Sequence, residues 1–356
     1  MKRFFVALIL AMLVSACGIS EATTRQMTPT ELGLSSLRTL AQNRGISIGT
    51  AVDVKPFRKE PLYNSVLAHE FNLLVPENQM KFALLHPERD TYDFKDADAM
   101  VAFAKANDMQ VRGHTLLWHL SVPRWLSEGN FTRDELMDIL RDHIYTVVGH
   151  YRGSIIAWDV LNEAIDANGY IKDSIWQRVI GPEYIDLAFR WAHEADPQAR
   201  LFYNDYGAER RGQKADALYN FVKGMLERGV PINGVGLQMH VGLTASPDPQ
   251  EFADNLKRLA ALGLDVDITE MDVLIQNSKV KGSLEKKFAE QGRLYGENFQ
   301  VCVSAPNCKA FVIWGFTDKY NWAVSFTGRP DKPLILDESY RPKPAYNALL
   351  KVLSEK

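Results

Sequence analysis

Ala157-Trp158-Asp159-Val160-Leu161-Asn162-Glu163-Ala164 begins as an apolar run and ends in a carboxamide followed by a carboxylate. The run over residues 155–161 predicts a buried strand, and Glu163 would leave the dry interior where that strand ends. A charge in that position must find partners or lose its ionisation. A strand-terminal Glu that faces water explains this stretch alone equally well, so the rest of the chain must decide between the two.

Seven further apolar runs alternate with helical patterns on either side of this stretch. A capping box that opens at Thr132 and closes at Glu135 predicts one helix start, and Pro182 predicts another. Gly229 and Gly263 follow amphipathic patterns as stop signals. The eight runs cover residues 46–52, 71–75, 110–117, 155–161, 200–203, 234–237, 264–268 and 310–314.

This alternation decides the fold class. Near-continuous apolar strands between amphipathic helices predict a parallel sheet with both faces covered. Eight units in about 320 residues suit a closed barrel better than an open doubly wound sheet. No Gly-x-Gly-x-x-Gly follows the first strand, which argues against dinucleotide binding. We therefore predict an α/β protein, a single (β/α)8 TIM-barrel domain over residues 34–356.

The amino terminus has the pattern of an export signal. Lys2 and Arg3 precede an apolar segment too short for a permanent membrane span, and small residues lead up to Cys17. Residues 1–17 therefore resemble a bacterial lipoprotein signal, cleaved before Cys17 and lipidated on its sulfur. A plain secretory signal cut near Ala16 is the alternative. Residues 18–33 would form a tether. We therefore predict an exported protein that a lipid anchors to the bacterial cell envelope. A secreted or periplasmic protein is the alternative.

Charge and cysteine content limit the possible partners. The formal net charge of −3 predicts no basic surface for nucleic acid. The lipid anchor would be the only contact with a membrane, and we expect a monomer. Cys302 and Cys308 lie close together, and an oxidising compartment favours a disulfide between them over two reduced, buried thiols.

Polar and aromatic side chains follow seven of the eight predicted strands. In a barrel these strand ends meet at the carboxyl-terminal mouth, where functional sites lie. One strand-end carboxylate is easily explained by contact with water, but a series around the mouth indicates a site. The series comprises Glu77, Asn78 and Lys81; His114 and Trp118; Asn162 and Glu163; Asn204, Asp205 and Tyr206; Gln238 and His240; Glu270 and Asp272; and Trp314 and Trp322.

Glu163 and Glu270 close the fourth and seventh strands, so they face each other across the predicted mouth. Such a pair fits glycosidic bond cleavage, in which one group protonates the leaving oxygen while the other attacks or activates water. The surrounding amides and indoles suit sugar hydroxyls and sugar faces. The pair therefore favours a glycosidase.

Two other classes of protein remain open at this point. His114, His240, Glu270 and Asp272 could form the metal site of a hydrolase. The first strand lacks the His-x-His of many metal-dependent barrels, since it ends in Val52-Asp53-Val54, and we expect neither a metal nor another cofactor. A sugar-binding protein without catalysis would need the indoles but not two opposed glutamates.

The motifs at these strand ends resemble those of the endo-1,4-β-xylanases of glycoside hydrolase family 10. The resemblance spans residues 34–353, and its motifs occur in the family's order. The motifs are VPENQMK at 75–81, GHTLLWH at 113–119, WDVLNEA at 158–164, GLQMH at 236–240, ITEMD at 268–272 and WGFTDKYNW at 314–322.

The resemblance implies hydrolysis of internal β-1,4-xylosidic bonds by a retaining double displacement. Xylan and xylo-oligosaccharides would be the binding partners. Glu163 would be the general acid/base and Glu270 the nucleophile, and retention predicts carboxyl groups about 5–5.5 Å apart. A β-1,4-glucanase or a mixed xylanase/cellulase of the same fold is the alternative.

The same resemblance implies roles for the neighbouring residues. His240 would hydrogen-bond the nucleophile, Asp272 would orient His240, and Asn162 would contact the sugar 2-hydroxyl. The pairing of Cys302 with Cys308 resembles a disulfide found in part of the family. The other residues implied to contact the sugar in the cleaved subsite are Gln238, His114 and Trp118, and those in the next subsite are Glu77, Asn78 and Lys81. Trp314 and Trp322 would form a roof that leaves little room for a hydroxymethyl group, and Tyr206 would be an aglycone platform. Trp158 would lie in the core.

Two positions depart from the family pattern. Ser121 stands where Gln is usual, which removes a long amide from the glycone side. Gly207 stands where Asn is usual, which changes the aglycone side. Neither touches the two glutamates, so we expect an effect on chain length and side-group tolerance and none on the reaction class.

Overall fold

The structure is a computed structural model that describes residues 36–276 and 280–355. The expected signal peptide, the tether and the lipidation site Cys17 lie outside the described residues. Within the described part of the chain, no helix is both long and apolar enough to cross a bilayer.

Eight parallel strands close into a barrel, as the alternation of runs predicts. The neighbours in order are β1, β2, β3, β4, β5, β6, β8 and β9, and β9 pairs back onto β1. The remaining strand, β7, is short and pairs with the far end of β8. The strands are β1 (Ser47–Val52), β2 (Leu73–Pro76), β3 (Gln110–Trp118), β4 (Ala157–Asn162), β5 (Arg200–Asp205), β6 (Gly234–Leu237), β7 (His240–Gly242), β8 (Asp265–Leu274) and β9 (Cys308–Ile313).

Helices surround the barrel and carry the predicted start signals. Thr132 and Glu135 form the reciprocal capping box at the start of the helix Arg133–His150. The helices are α1 (Leu37–Arg44), α2 (Val54–Lys59), α3 (Pro61–Glu70), α4 (Phe82–Leu85), α5 (Lys95–Ala106), α6 (Arg124–Ser127), α7 (Arg133–His150), α8 (Ile175–Val179), α9 (Glu183–Ala195), α10 (Gln213–Glu227), α11 (Pro249–Ala260), α12 (Leu284–Ser304), α13 (Ala323–Thr327) and α14 (Pro344–Ser354).

The core between strands and helices is tightly packed around Trp158. The indole of Trp158 is fully buried, as expected for a scaffold residue. It lies over Gly113 on the neighbouring strand β3, where a Cβ atom would stand 2.1 Å from the indole Cε3 atom. Only glycine leaves room for the ring at that position, so this pair fixes how β4 packs against the helices.

Charged side chains fill part of the barrel interior. Arg112 on β3 is fully buried and donates hydrogen bonds to Asp159 on β4 and to Asp267 on β8. Asp159 lies on the strand next to β3, but β8 is not a neighbour of β3, so the bond from Arg112 to Asp267 crosses the interior of the barrel. Each charge in this cluster has a partner of opposite sign, as a dry interior requires.

Cys302 and Cys308 form a disulfide with an S–S distance of 2.01 Å, which confirms the predicted pairing. The bond joins the last turn of α12 to the first residue of β9. It therefore closes the short connection into the final barrel strand.

Candidate active site

A cavity of about 680 Å³ opens at the carboxyl ends of the strands. Most of the strand-end residues singled out in the sequence converge there. Asp272, Asn204 and Asp205 lie behind the wall, in contact with His240, Glu270 and Lys214 respectively. The residues of that series that line the cavity are Glu77, Asn78, Lys81, His114, Trp118, Asn162, Glu163, Tyr206, Gln238, His240, Glu270, Trp314 and Trp322.

Glu270 lies among hydrogen-bond donors. Its Oε2 atom is 3.1 Å from Nε2 of His240, and its Oε1 atom accepts a 2.6 Å bond from Nδ2 of Asn204. Burial on its own would raise the pKa of Glu270, but the bond from His240, the nearby imidazoles of His114 and His240 and the bond from Asn204 hold the pKa below its usual value. The carboxyl group is therefore held as a carboxylate.

His240 lies between two carboxylates. Its Nδ1 atom is 2.8 Å from Oδ2 of Asp272, and its Nε2 atom faces Glu270. Burial would lower the pKa of His240, but the charges and hydrogen bonds of Asp272 and Glu270 raise it to about 10. Both ring nitrogens therefore carry protons near neutral pH, and His240 donates to both neighbours. Trp322 also donates its indole N–H to Asp272, at 2.5 Å, which fixes this carboxylate from a second side.

Glu163 has different partners. Its Oε1 atom accepts a 3.0 Å bond from Nε2 of Gln238, and Nζ of Lys172 lies 3.9 Å from its Oε2 atom. Its backbone has a φ of +57°, in the left-handed region that residues other than glycine seldom adopt outside functional sites. The backbone N–H still bonds to the carbonyl oxygen of Asn204. The strand therefore ends in a sharp turn at Glu163, whose carboxyl group faces the cavity.

A chain of side-chain amides connects the two glutamates. Oδ1 of Asn162 accepts bonds from Asn204, at 2.9 Å, and from Gln238, at 3.2 Å. Asn204 also bonds Glu270, and Gln238 also bonds Glu163. The sequence places Asn204 at a strand end but does not indicate this role, because its side-chain partners come from two other strands, β4 and β8.

The glycone side contains a second group of charges. Nζ of Lys81 donates to Asn78 at 2.9 Å and lies 4.9 Å from the ring centroid of Trp118. Burial lowers the pKa of Lys81, although Glu270, Glu77 and Glu163 oppose the shift. Burial also raises the pKa of Glu77, with Asp53 adding to the shift and Lys81 opposing it. These closely spaced donors and acceptors suit the hydroxyls of one sugar ring.

His114 connects the cavity to the charged barrel interior. Its Nδ1 atom is 3.0 Å from Oδ2 of Asp159, which Arg112 also contacts. The ring of Trp314 lies edge-on to the imidazole, with 5.1 Å between centroids. The Arg112–Asp159 pair therefore orients His114, and Arg112 is a contributor that the sequence does not reveal.

Besides Tyr206, the expected aglycone platform, and Gly207, the cavity wall contains residues to which the sequence assigns no role. Tyr206 is 45% exposed and presents its ring beside the cavity, with Nζ of Lys172 at 3.4 Å from its hydroxyl oxygen. Phe326 is 77% exposed and lies 5.1 Å from the ring of Trp322. The remaining residues of this wall are Leu120, Gly207, Glu209, Arg210, Val241, Ala245 and Pro247.

A (β/α)8 barrel with two carboxylates at its mouth has the arrangement of a glycoside hydrolase. The family model described as glycosyl hydrolase family 10 matches residues 36–352. The chain belongs to that family, which confirms the resemblance seen in the motifs.

Named relatives and solved structures agree with this assignment. The chain is 45% identical over 323 residues to endo-1,4-beta-xylanase B of Thermotoga neapolitana, covering 90% of this chain and 92% of the relative. It is 42% identical over 299 residues to a beta-1,4-xylanase of Dictyoglomus thermophilum, covering 81% and 84%. The crystal structure of xylanase 10B from Thermotoga petrophila RKU-1 in complex with xylobiose is similar with a TM-score of 0.87 and 44% identity, covering 90% of this chain and 98% of that one.

Proposed function

We propose that this protein is an endo-1,4-β-xylanase that cleaves xylan with retention of configuration, Glu270 being the nucleophile and Glu163 the general acid/base. One observation carries the division of roles. Both carboxyl groups bond to one amide network, but only Glu270 is bonded to an imidazolium, that of His240. Two carboxyl groups in different surroundings can differ in protonation at one pH.

In the first step, the carboxylate of Glu270 attacks the anomeric carbon while Glu163 gives its proton to the departing glycosidic oxygen. The C–O bond to the aglycone breaks, and an ester between Glu270 and the glycone sugar forms. His240 and Asn204 hold the attacking carboxylate in place through both of its oxygens.

In the second step, the ester is hydrolysed. The negative charge of Glu270 is absent while the ester exists, so Glu163 can remain ionised beside it and can take a proton from water. That water attacks the anomeric carbon, the ester bond breaks and Glu270 regains its charge. Two inversions give a product with retained configuration.

Several residues would position the sugar during these steps. Asn162 accepts bonds from Asn204 and Gln238 through Oδ1, and its Nδ2 atom donates to Oε1 of Glu163 at 3.4 Å, beside the place where a 2-hydroxyl would bond. Trp314 and Trp322 line the same cavity, and we infer that their bulk excludes a hydroxymethyl group. This restriction favours xylose over glucose.

The substrate assignment is tested by measuring new reducing ends on xylan and on cellulose. We expect rapid release from xylan and little from cellulose, with internal cuts that shorten the polymer early. Faster hydrolysis of cellulose would favour the β-1,4-glucanase alternative. Oligosaccharide binding without products would indicate a sugar-binding protein, and loss of activity in EDTA would indicate a metal-dependent hydrolase.

The nucleophile is tested with Glu270→Ala. This variant should lose turnover, and azide or formate should restore cleavage of an activated aryl glycoside by attacking directly in place of the missing carboxylate. A single displacement inverts configuration, so the azide adduct should be inverted. An adduct of retained configuration would rule out Glu270 as the nucleophile.

We also propose that the enzyme is exported, held to the cell envelope by a lipid on Cys17, and monomeric. The charged start, the apolar segment and the small residues before Cys17 support the anchor. Cys17→Ser should move the enzyme from the membrane to the soluble fraction, and sedimentation of the released enzyme should give one chain per particle. Unchanged fractionation would rule out the anchor.

A further inference from the structure

The loop that follows β4 folds back on itself as a short hairpin. Ile165 and Ile171 form an antiparallel bridge at its base. The backbone N–H of Lys172 then donates a 2.7 Å hydrogen bond to the carbonyl oxygen of Ala164, the residue after Glu163. The hairpin therefore brings Lys172 back to the end of the strand that carries Glu163.

The side chain of Lys172 places its ammonium group beside Glu163. Nζ lies 3.9 Å from Oε2 of Glu163, and the side chain is only 19% exposed. Nζ also donates to the hydroxyl oxygen of Tyr206, at 3.4 Å, and lies 4.9 Å from the centroid of that ring. The nearby Lys214 differs, because its Nζ atom bonds Asp205 at 2.8 Å. Glu163 is therefore the carboxyl group in ion-pair contact with Lys172.

Other titratable groups face Glu163 from neighbouring strand ends. Burial lowers the pKa of His119, and Lys172 adds to the shift while Glu163 opposes it, so this imidazole is uncharged near neutral pH. Lys81 lies on the glycone side and interacts more strongly with Glu270 than with Glu163. The remaining titratable or charged groups that line the cavity are Glu77, His114, Tyr206, Glu209, Arg210 and His240.

We propose that Lys172 is a positioning residue that acts through Glu163, its ammonium group stabilising the ionised form of that carboxyl group. The inference rests on the proposed function, because it concerns Glu163 as the general acid/base. In the first step Glu163 must hold a proton, and in the second step it must be ionised. A cation in contact favours the ionised form in both steps. Lys172 therefore assists hydrolysis of the ester and limits cleavage at alkaline pH.

The test measures where activity falls with pH on two substrates. Phenyl xylobioside has a poor leaving group that needs a proton, so kcat/KM should fall on the alkaline side as Glu163 ionises. Dinitrophenyl xylobioside loses its leaving group without a proton, so hydrolysis of the ester limits kcat. That kcat should fall on the acid side as Glu163 becomes protonated, and Glu270 does not contribute because it is esterified.

Lys172→Met removes the charge and keeps a long side chain. Both falls in activity should move to higher pH by about one pH unit, the lower end of the effect of a nearby opposite charge. Lys172→Arg restores a cation and should return both falls close to their wild-type positions. A defect in packing alone would instead lower both rates at every pH without moving either fall, and that outcome would overturn the inference.

Lys223→Met is the matched control, since Lys223 lies on α10 and pairs with Glu227 at 3.7 Å, with its side chain 51% exposed. It should leave both falls where they are in the wild type. Glu163→Ala checks the proposed function separately, because its residual activity should show neither fall. Falls that persist in Glu163→Ala would contradict Glu163 as the general acid/base. Falls that disappear with Glu163 and do not move in Lys172→Met would overturn only the role of Lys172.

Discussion

Replacing Asp272 with Asn should remove the charge that keeps His240 protonated. Oδ2 of Asp272 is 2.8 Å from Nδ1 of His240, and the opposite ring nitrogen bonds Glu270. Asn keeps an oxygen that can still accept the N–H of Trp322, so the substitution changes charge more than shape. The variant therefore isolates the electrostatic contribution of Asp272.

The size of the effect follows from the pKa of His240. A rise from 6.5 to about 10, at about 1.4 kcal/mol per pH unit, corresponds to roughly 5 kcal/mol in favour of the imidazolium. An opposite charge at this distance accounts for about 1–3 pH units. We expect the pKa of His240 to fall by that amount in Asp272→Asn, so that His240 loses its charge near the alkaline end of the working range.

Activity should respond in a pH-dependent way. When His240 becomes neutral, its bond to Glu270 is no longer charge-assisted, a loss of about 1.5–3 kcal/mol. The ratio of variant to wild-type kcat/KM on an aryl xylobioside should therefore fall between about pH 6 and pH 9, by about twofold if the pKa of His240 drops by one unit and by about tenfold or more if it drops by three. Taking the ratio cancels the pH dependence that both enzymes share. NMR titration of the His240 ring, identified with a His240→Gln sample, gives the pKa directly.

Stability provides an independent measurement with a fixed sign. The folded-state pKa of His240 lies above its unfolded value, so its stabilisation is complete below pH 6.5 and is lost as pH rises towards 10. Asp272→Asn should show a smaller decline in unfolding free energy over that range. Asp186→Asn, which breaks a surface pair with Arg228, is the control and should leave the activity ratio flat. A flat ratio in Asp272→Asn, with His240 still titrating near 10, would refute the reasoning.

Two further predictions concern the scaffold. Gly113→Ala would place a methyl group 2.1 Å from the buried ring of Trp158. Overpacking of this kind should cost about 3 kcal/mol or more of unfolding free energy, measured by denaturant unfolding. A variant as stable as the wild type would show that the ring can move aside. Removing the disulfide with Cys302→Ala and Cys308→Ala should cost about 2 kcal/mol, the loop-closure value for a short loop. A thermal midpoint unchanged by the double substitution would mean that α12 and β9 hold this connection without it.

The barrel could be predicted because its strands are apolar and locally periodic. The runs at 110–117 and 234–237 match β3 (Gln110–Trp118) and β6 (Gly234–Leu237) to within one residue. The run at 264–268 covers only half of β8, because the second half contains Thr269, Glu270 and Asp272, which do not look like a buried strand. They are buried there because the neighbouring side chains supply hydrogen bonds, a condition that a local pattern cannot express.

The position of the site could be predicted from the sequence, because the carboxyl ends of the parallel strands must meet at one mouth of the barrel. Glu163 and Glu270 could be placed at one mouth from their positions alone, since parallel strands bring their carboxyl ends to the same side. The bonds from Arg112 to Asp159 and Asp267 could not be predicted, since they join positions 47 and 155 residues apart, the second of them across the barrel. Arg112 appears in the sequence as an isolated charge in an apolar run, and its function as the support of His114 emerges only from the closed barrel.

The short strand β7 explains how the environment of the proposed nucleophile arises. Glu270 and Asp272 are two residues apart on β8, so their side chains point to the same face. β7 pairs with the same strand in a register that sets His240 beside Asp272, and its ring then reaches both carboxylates. A shift of this pairing by one residue would turn His240 to the opposite face. Three residues of strand therefore decide whether Glu270 has the imidazolium of His240 beside it, the feature on which its proposed role as nucleophile rests.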